Sequence, residues 1–170
     1  DKIDGPYYFF KAIQKLRQSL PPWVPLVGIE GGQINLVPVD YVADAMDHLA
    51  HLPDHDGECF HLTDPRPRRV GEVLNLFART GHAPTMAVRL DPKLFDFLPR
   101  GVTESVSSYA PLQQVFDVIL RDLQLPRDVL EFSNWQTKFD CSNTQRLLEH
   151  TDIRVPPLED YAWRLWDYWE

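Results

Sequence analysis

Fifteen prolines in 170 residues keep every element of this chain short. Each proline removes a backbone donor and holds φ near roughly −65°, so it stops helices and is kept out of central strands. Most of them, such as Pro21-Pro22, Pro53 and Pro65, fall where the hydrophobic pattern also breaks. That placement fits a compact α/β piece. No internal repeat or low-complexity segment interrupts the plan.

Between these stops the apolar residues read as elements. Phe9, Ile13, Leu16 and Leu20 recur at helical spacing after an Asp4-Gly5-Pro6 start. Residues 23–32 read as a loop. Ile34, Leu36 and Val37-Pro38-Val39 suit a short strand, and Asp40 is placed to cap the next helix. That helix carries Val42, Ala45, Met46, Leu49 and Leu52. Cys59 to Thr63 reads as a second strand, which makes a strand–helix–strand unit of roughly 30 residues. Val70, Val73, Leu74 and Phe77 mark another helix, closed by Gly81. Met86, Val88 and Leu90 alternate as a third strand. From there the pattern is mainly helical. Leu94, Phe97 and Leu98 suggest a short helix, and Leu112 to Leu123 a longer one. Val129 to Phe132 reads as a short helix. Asp140 or Ser142 caps a helix with Leu147 and Leu148, and Tyr161, Leu165, Trp166 and Trp169 lie on the last.

Composition narrows the function. Seventeen Lys+Arg against 25 Asp+Glu leave a net charge of −8, which argues against a nucleic-acid partner. With 44% hydrophobic and 25% charged residues, the chain belongs with globular domains. A chain of this size buries roughly 70% of its unfolded surface, enough for one core. No uncharged stretch approaches the ~18 residues of a membrane span. Cys59 and Cys141 do not make a disulfide framework or a CxxC pair, so a reducing, cytoplasmic location is expected.

Several chemical signatures are missing. No Gly-rich turn joins a strand to a helix, so a dinucleotide pyrophosphate has no visible cradle. Gly31-Gly32 precedes a strand. No nucleophile elbow, Walker lysine or His-Glu-x-x-His occurs. Tyr7 and Lys11 have Tyr-x-x-x-Lys spacing, which puts a phenol and an ammonium on one helix face; the ordinary alternative is a half-buried aromatic beside a solvated lysine. His48, His51, His55, Cys59 and His61 crowd one region, but Pro53 breaks their helix, and a polar helix end explains them without a metal. Arg66, Arg68 and Arg69 form a dense basic cluster before a helix start. They are candidates for the phosphates of a coenzyme A group, against a plain solvated loop. Tyr7, Tyr8, Phe9 and Phe10 cannot all lie on one buried helical stripe. Together with Ile13 they are candidates for contact with an apolar substrate or another domain.

Four runs carry a resemblance: Asp1-Lys2-Ile3-Asp4-Gly5-Pro6-Tyr7-Tyr8-Phe9-Phe10-Lys11, Leu20-Pro21-Pro22-Trp23-Val24-Pro25, Gly28-Ile29-Glu30-Gly31-Gly32 and Asn35-Leu36-Val37-Pro38-Val39-Asp40-Tyr41-Val42. With later pieces such as Val70-Gly71-Glu72-Val73-Leu74-Asn75 and Trp166-Asp167-Tyr168-Trp169-Glu170, the chain resembles bacterial NADPH-dependent fatty acyl-CoA reductases. These are extended short-chain dehydrogenases. The resemblance implies the C-terminal half of the reductase domain, because the family's Gly-rich turn, Ser/Thr and catalytic Tyr-x-x-x-Lys lie upstream of the segment like Asp1.

The expectations that follow are specific. The fold is α/β, a partial Rossmann-like piece with a few short strands and a predominantly helical substrate-binding subdomain. Residues 1–90 form the βαβ part and 91–170 the helical lid, as one unit. The whole enzyme uses NADPH to reduce a fatty acyl-CoA to aldehyde or alcohol. This portion binds the acyl-CoA or fatty aldehyde, holds no catalytic residue, cofactor or metal, and is not competent alone. Its partner is the missing N-terminal half, and exposed edges favour self-association. Both ends read as cut from a longer protein. The alternative is a non-enzymatic interaction module on a shortened dehydrogenase scaffold.

Overall fold

The computed structural model describes residues 7–90 and 137–170. The fold is α/β. Helix α1 (Tyr7–Ser19) leads to strand β1 (Leu26–Ile29) and a two-residue strand β2 (Gln33–Ile34). Helix α2 (Val39–Ala50) follows, then strand β3 (Arg68–Arg69), helix α3 (Val70–Thr80) and strand β4 (Met86–Leu90). The later described elements are helices α4 (Ser142–Leu148) and α5 (Leu158–Trp169). The helices expected around Leu94, Leu112 and Val129 lie outside the described residues.

Strands β1 and β4 pair in parallel, with Gly28 opposite Arg89 and Ile29 opposite Leu90. A parallel pair needs a crossover, and here α3 carries the chain back to start β4. The second pair is a short antiparallel clip, with Gln33 opposite Arg69 and Ile34 opposite Arg68.

Three sequence expectations about strands are corrected. The strand expected over Ile34–Val39 shrinks to β2, and Val39 already begins α2. Residues 23–32 are not all loop, because β1 lies among them. Pro25 and Gly28 masked it by breaking the strand pattern. Gly28 is there for close approach: a Cβ on it would lie 2.0 Å from the Met86 sulfur. Conversely, Cys59–Thr63 forms no ladder. Side chains tether that segment instead. The Thr144 hydroxyl donates to the His61 carbonyl (3.0 Å), and Asn35 exchanges two 2.8 Å bonds with the Asp64 backbone. An amide side chain offers both a donor and an acceptor, so it can replace a neighbouring strand at one position.

The main core joins α1, α3 and α5 around Phe10, Phe77 and Trp166, all at most 3% exposed. The Phe10 ring meets Phe77 at 4.7 Å and Trp166 at 5.2 Å, both tilted well away from parallel. Such edge-on contacts add about 0.5–1.5 kcal/mol each beyond burial. The buried face of α1 thus runs from Phe10 to Ile13, one step round from the stripe led by Phe9, which is only half-buried. A smaller core joins Tyr41, Ala45 and Leu49 of α2 to Leu148 of α4. Met46, expected on the inner face of α2, is 59% exposed. Helix α5 completes the core built by residues before 90, so packing crosses the boundary between the two expected regions.

Helix α3 ends at Gly81, as its sequence predicts, but the reason is packing. Gly81 has φ of −82°, open to any residue. A Cβ there would lie 2.5 Å from the Trp166 ring. Gly81→Ala should therefore destabilise by about 1–3 kcal/mol through overpacking. Urea unfolding measures this, and an unchanged midpoint would refute the contact.

Candidate functional site

In open α/β sheets, ligands collect beyond the carboxyl ends of parallel strands. At that edge of β1 and β4 the chain places Glu30, 6% exposed. One carboxylate oxygen accepts from the Gly71 backbone N–H at 2.9 Å, and the other meets the Arg89 guanidinium at 3.1 Å. A buried carboxylate needs both kinds of partner to offset its lost hydration. The first turn of α3 is closed off by the same group and its neighbours. Val70 N–H donates to the Gly32 carbonyl (3.0 Å), and Arg69 N–H donates to the Glu72 carboxylate (3.2 Å). The helix N-terminus, the usual seat for a phosphate, is thus filled by the chain's own carboxylates.

The basic cluster separates. Arg68 grips Glu159 of α5 with two 2.6 Å bonds, a bidentate pair. That bond holds the Glu159 carboxyl below its ordinary range and raises the Arg68 guanidinium further. Arg69 is exposed in β3, at the start of α3. Arg66 is exposed and gives its backbone N–H to the Asp64 carboxylate at 2.9 Å. As a joint phosphate clamp the three arginines are corrected: Arg68 is already paired, and only Arg66 and Arg69 face solvent. Beside Arg68 lies a shallow recess of about 10 Å³, room for about one water, floored by Ile34, Leu36, Val73 and Leu158. On α5, the Tyr161 hydroxyl donates to the Leu36 carbonyl at 3.4 Å. Burial, chiefly, pushes the Tyr161 phenol up, and the Tyr41 phenol likewise.

The aromatic opening is divided too. Phe10 is 0% and Ile13 5% exposed, so as substrate-lining residues both are corrected to core. Tyr7 stacks on Trp169 with centroids 6.3 Å apart, and Lys11 is exposed. Phe9 is half-buried; the side chain of Tyr8 lies outside the described ones. Asp40 is not the cap of α2. Pro38 occupies that position, and Asp40 sits in the first turn, where its charge still favours the helix dipole. At α4, Asp140 accepts from Ser142 N–H at 2.9 Å, and this bond lowers its pKa.

The histidines disperse. His51 Nδ1–H donates to the Asp47 carbonyl at 2.7 Å, His55 faces Glu58 at 3.2 Å, and His61 Nδ1–H donates to the Asp140 carbonyl at 2.9 Å. No metal-binding group forms among the described residues. Cys59 is exposed and Cys141 buried, both free. Among the described residues no helix is long and apolar enough to cross a membrane.

Sequence reasoning missed Glu30, Arg89 and Glu159. Each lies far in sequence from its partner, and no local pattern marks such a pair.

Comparisons with known proteins add a likeness among solved structures. No family model and no curated protein matches the chain. Among solved structures, it is similar to the terminal R domain from the myxalamid PKS-NRPS biosynthetic pathway, at 22% identity and a TM-score of 0.49. The match covers 94% of this chain and 36% of that one, so this chain spans just over a third of that structure's length.

Two outcomes are expected. Glu30→Ala, which orphans the Gly71 N–H and Arg89, should cost about 1–3 kcal/mol, and Glu30→Gln less. Equal losses in urea unfolding would count against the hydrogen bond. The lowered Glu159 pKa stabilises the fold above the carboxyl's ordinary value of 4.5, and that stability is lost as pH falls through the folded value. Because the pair is partly exposed, its worth is below about 1 kcal/mol. Arg68→Gln should be less stable than the parent at pH 7, and the gap should close in acid. A gap of unchanged size at every acid pH down to full protonation of the carboxyl would rule out the ion pair as its source.

Proposed function

We propose that this chain is the distal, substrate-binding portion of the reductase domain of an NADPH-dependent fatty acyl-CoA reductase. The observation that carries the reading is the pair of runs Gly28–Gly32 and Asn35–Val42, whose sequences resemble that family. They span the end of strand β1, the turn into β2 and the start of helix α2. In this proposal residues 1–90 are the C-terminal βαβ part of the domain. Residues 91–170 belong to the substrate side, and the enzyme works in the cytosol.

The described residues do not fit NADPH. Gly31-Gly32 leads into β2 rather than a helix, and the N-terminus of α3 is filled by Glu30. Cofactor binding and the catalytic phenol therefore fall to the N-terminal half of the domain, and this chain is not competent alone. Its own contribution is apolar surface. Burial of each acyl methylene contributes up to about 0.8 kcal/mol, so affinity comes from chain length. From the opening helix, with Phe10 and Ile13 in the core, Tyr7 and Phe9 are the described side chains left to meet an acyl chain. Arg66 and Arg69 remain to meet phosphate.

Titrating the chain with acyl-CoAs of increasing length, followed by tryptophan fluorescence, tests the proposal. Affinity should rise by up to about fourfold per methylene. NADPH, titrated in parallel, should not bind. Length-independent or absent acyl binding would overturn the substrate assignment. Saturable NADPH binding would overturn the division of labour.

A further inference from the structure

Helix α2 has two apolar faces. The inner one, Tyr41, Ala45 and Leu49, is buried. The outer one is Val39, Ala43, Met46 and Ala50, all exposed, with Val39 at 77% and Met46 at 59%. Their spacing of four, three and four residues is the a/d seam of a coiled coil. Single exposed apolar residues need no explanation, but a seam along a whole helix does. The twelve residues of α2 make it about 18 Å long, three turns of continuous seam.

Charge selects the occupant. Asp40, Asp44 and Asp47 line one flank, all exposed. No lysine or arginine pairs with them among the described residues; the His51 ring lies 3.6 Å from the Asp47 carboxylate. Positions 40 and 47 fall at the e positions beside the seam, where charged residues choose the partner. A second copy would bring two acidic flanks together within a chain of net −8. We infer that the outer face of α2 docks an amphipathic helix of another protein, one with an apolar heptad stripe flanked by Lys or Arg. The seam excludes water, and the aspartates set orientation and reject acidic helices. This inference does not depend on the acyl-CoA reading.

The test uses the whole chain and two labelled synthetic helices of about three heptads, with Leu at a and d. One has Lys at the flanking positions and the other Glu. Fluorescence anisotropy should show saturable binding of the Lys peptide only, weakening about tenfold between about 50 and 500 mM salt. Met46→Glu should weaken it by about tenfold or more, because a buried charge replaces a seam contact. Asp44→Asn with Asp47→Asn should flatten the salt dependence. Both sets are exposed, so the thermal midpoint should hold, which separates lost docking from lost folding.

Three results would overturn the inference. One is no saturable binding of the Lys peptide up to about 1 mM. Another is binding that ignores both sets of variants. The third is concentration-dependent dimerisation in sedimentation that Met46→Glu abolishes, which would make a second copy the occupant.

Discussion

Phe10 touches both other helices of the main core: its ring lies against Phe77 of α3 and Trp166 of α5. Three segments separated by dozens of residues meet there, and the strands are placed as a consequence. With α3 fixed by Phe77, the turn at Gly81 and the buried Ala83 deliver the chain into β4. Asn75 secures that step, exchanging bonds of 2.9 and 2.7 Å with the Met86 backbone. β1 then pairs with β4. Arginine–glutamate pairs hold both ends of α5: Arg68 with Glu159 at its start, and Arg17 of α1 with Glu170 at the chain end. Exposed pairs of this kind add little energy, so they orient a helix that the aromatic core has already docked.

The same economy explains what the carboxyl edge of the parallel pair offers. A helix N-terminus pointing at a strand end is a common anion seat, and here the chain fills it with Glu30. That buried carboxylate ties β1, α3 and β4 to one another through a backbone N–H and a guanidinium. The Gly71 N–H, a donor an anion would use there, is thereby already taken. The proposed recognition surfaces lie elsewhere: at Tyr7 and Phe9, at the solvent-facing Arg66 and Arg69, and along the outer seam of α2.

Much of this was legible in the residues. The periodicities of α1, α2, α3, α4 and α5 mark real helices, because a buried helical stripe repeats within a few residues. β4 is legible for the same reason at period two. The misses share a different cause. β1 is hidden by Pro25 and Gly28, which read as loop until Met86 lies across the glycine. Cys59–Thr63 has strand composition, yet hydroxyl and amide side chains tether it in place of a ladder. Met46 falls on helical spacing for the core, but α2 buries the arc that packs with Leu148, Phe60, Leu62 and Ile153, and Met46 lies beyond it.

Local pattern therefore determined the helices, their stops and the class of fold, since each depends on residues within one or two turns. The partners were decided by tertiary structure alone. Nothing near Arg68 in sequence announces Glu159, and nothing near Glu30 announces Gly71 and Arg89. Those choices depend on how three helices close around Phe10, and a one-step rotation of α1 put Phe10, rather than Phe9, at the centre. Burial is a property of the assembled chain, so the same aromatic run holds a core residue and half-buried candidates for contact side by side.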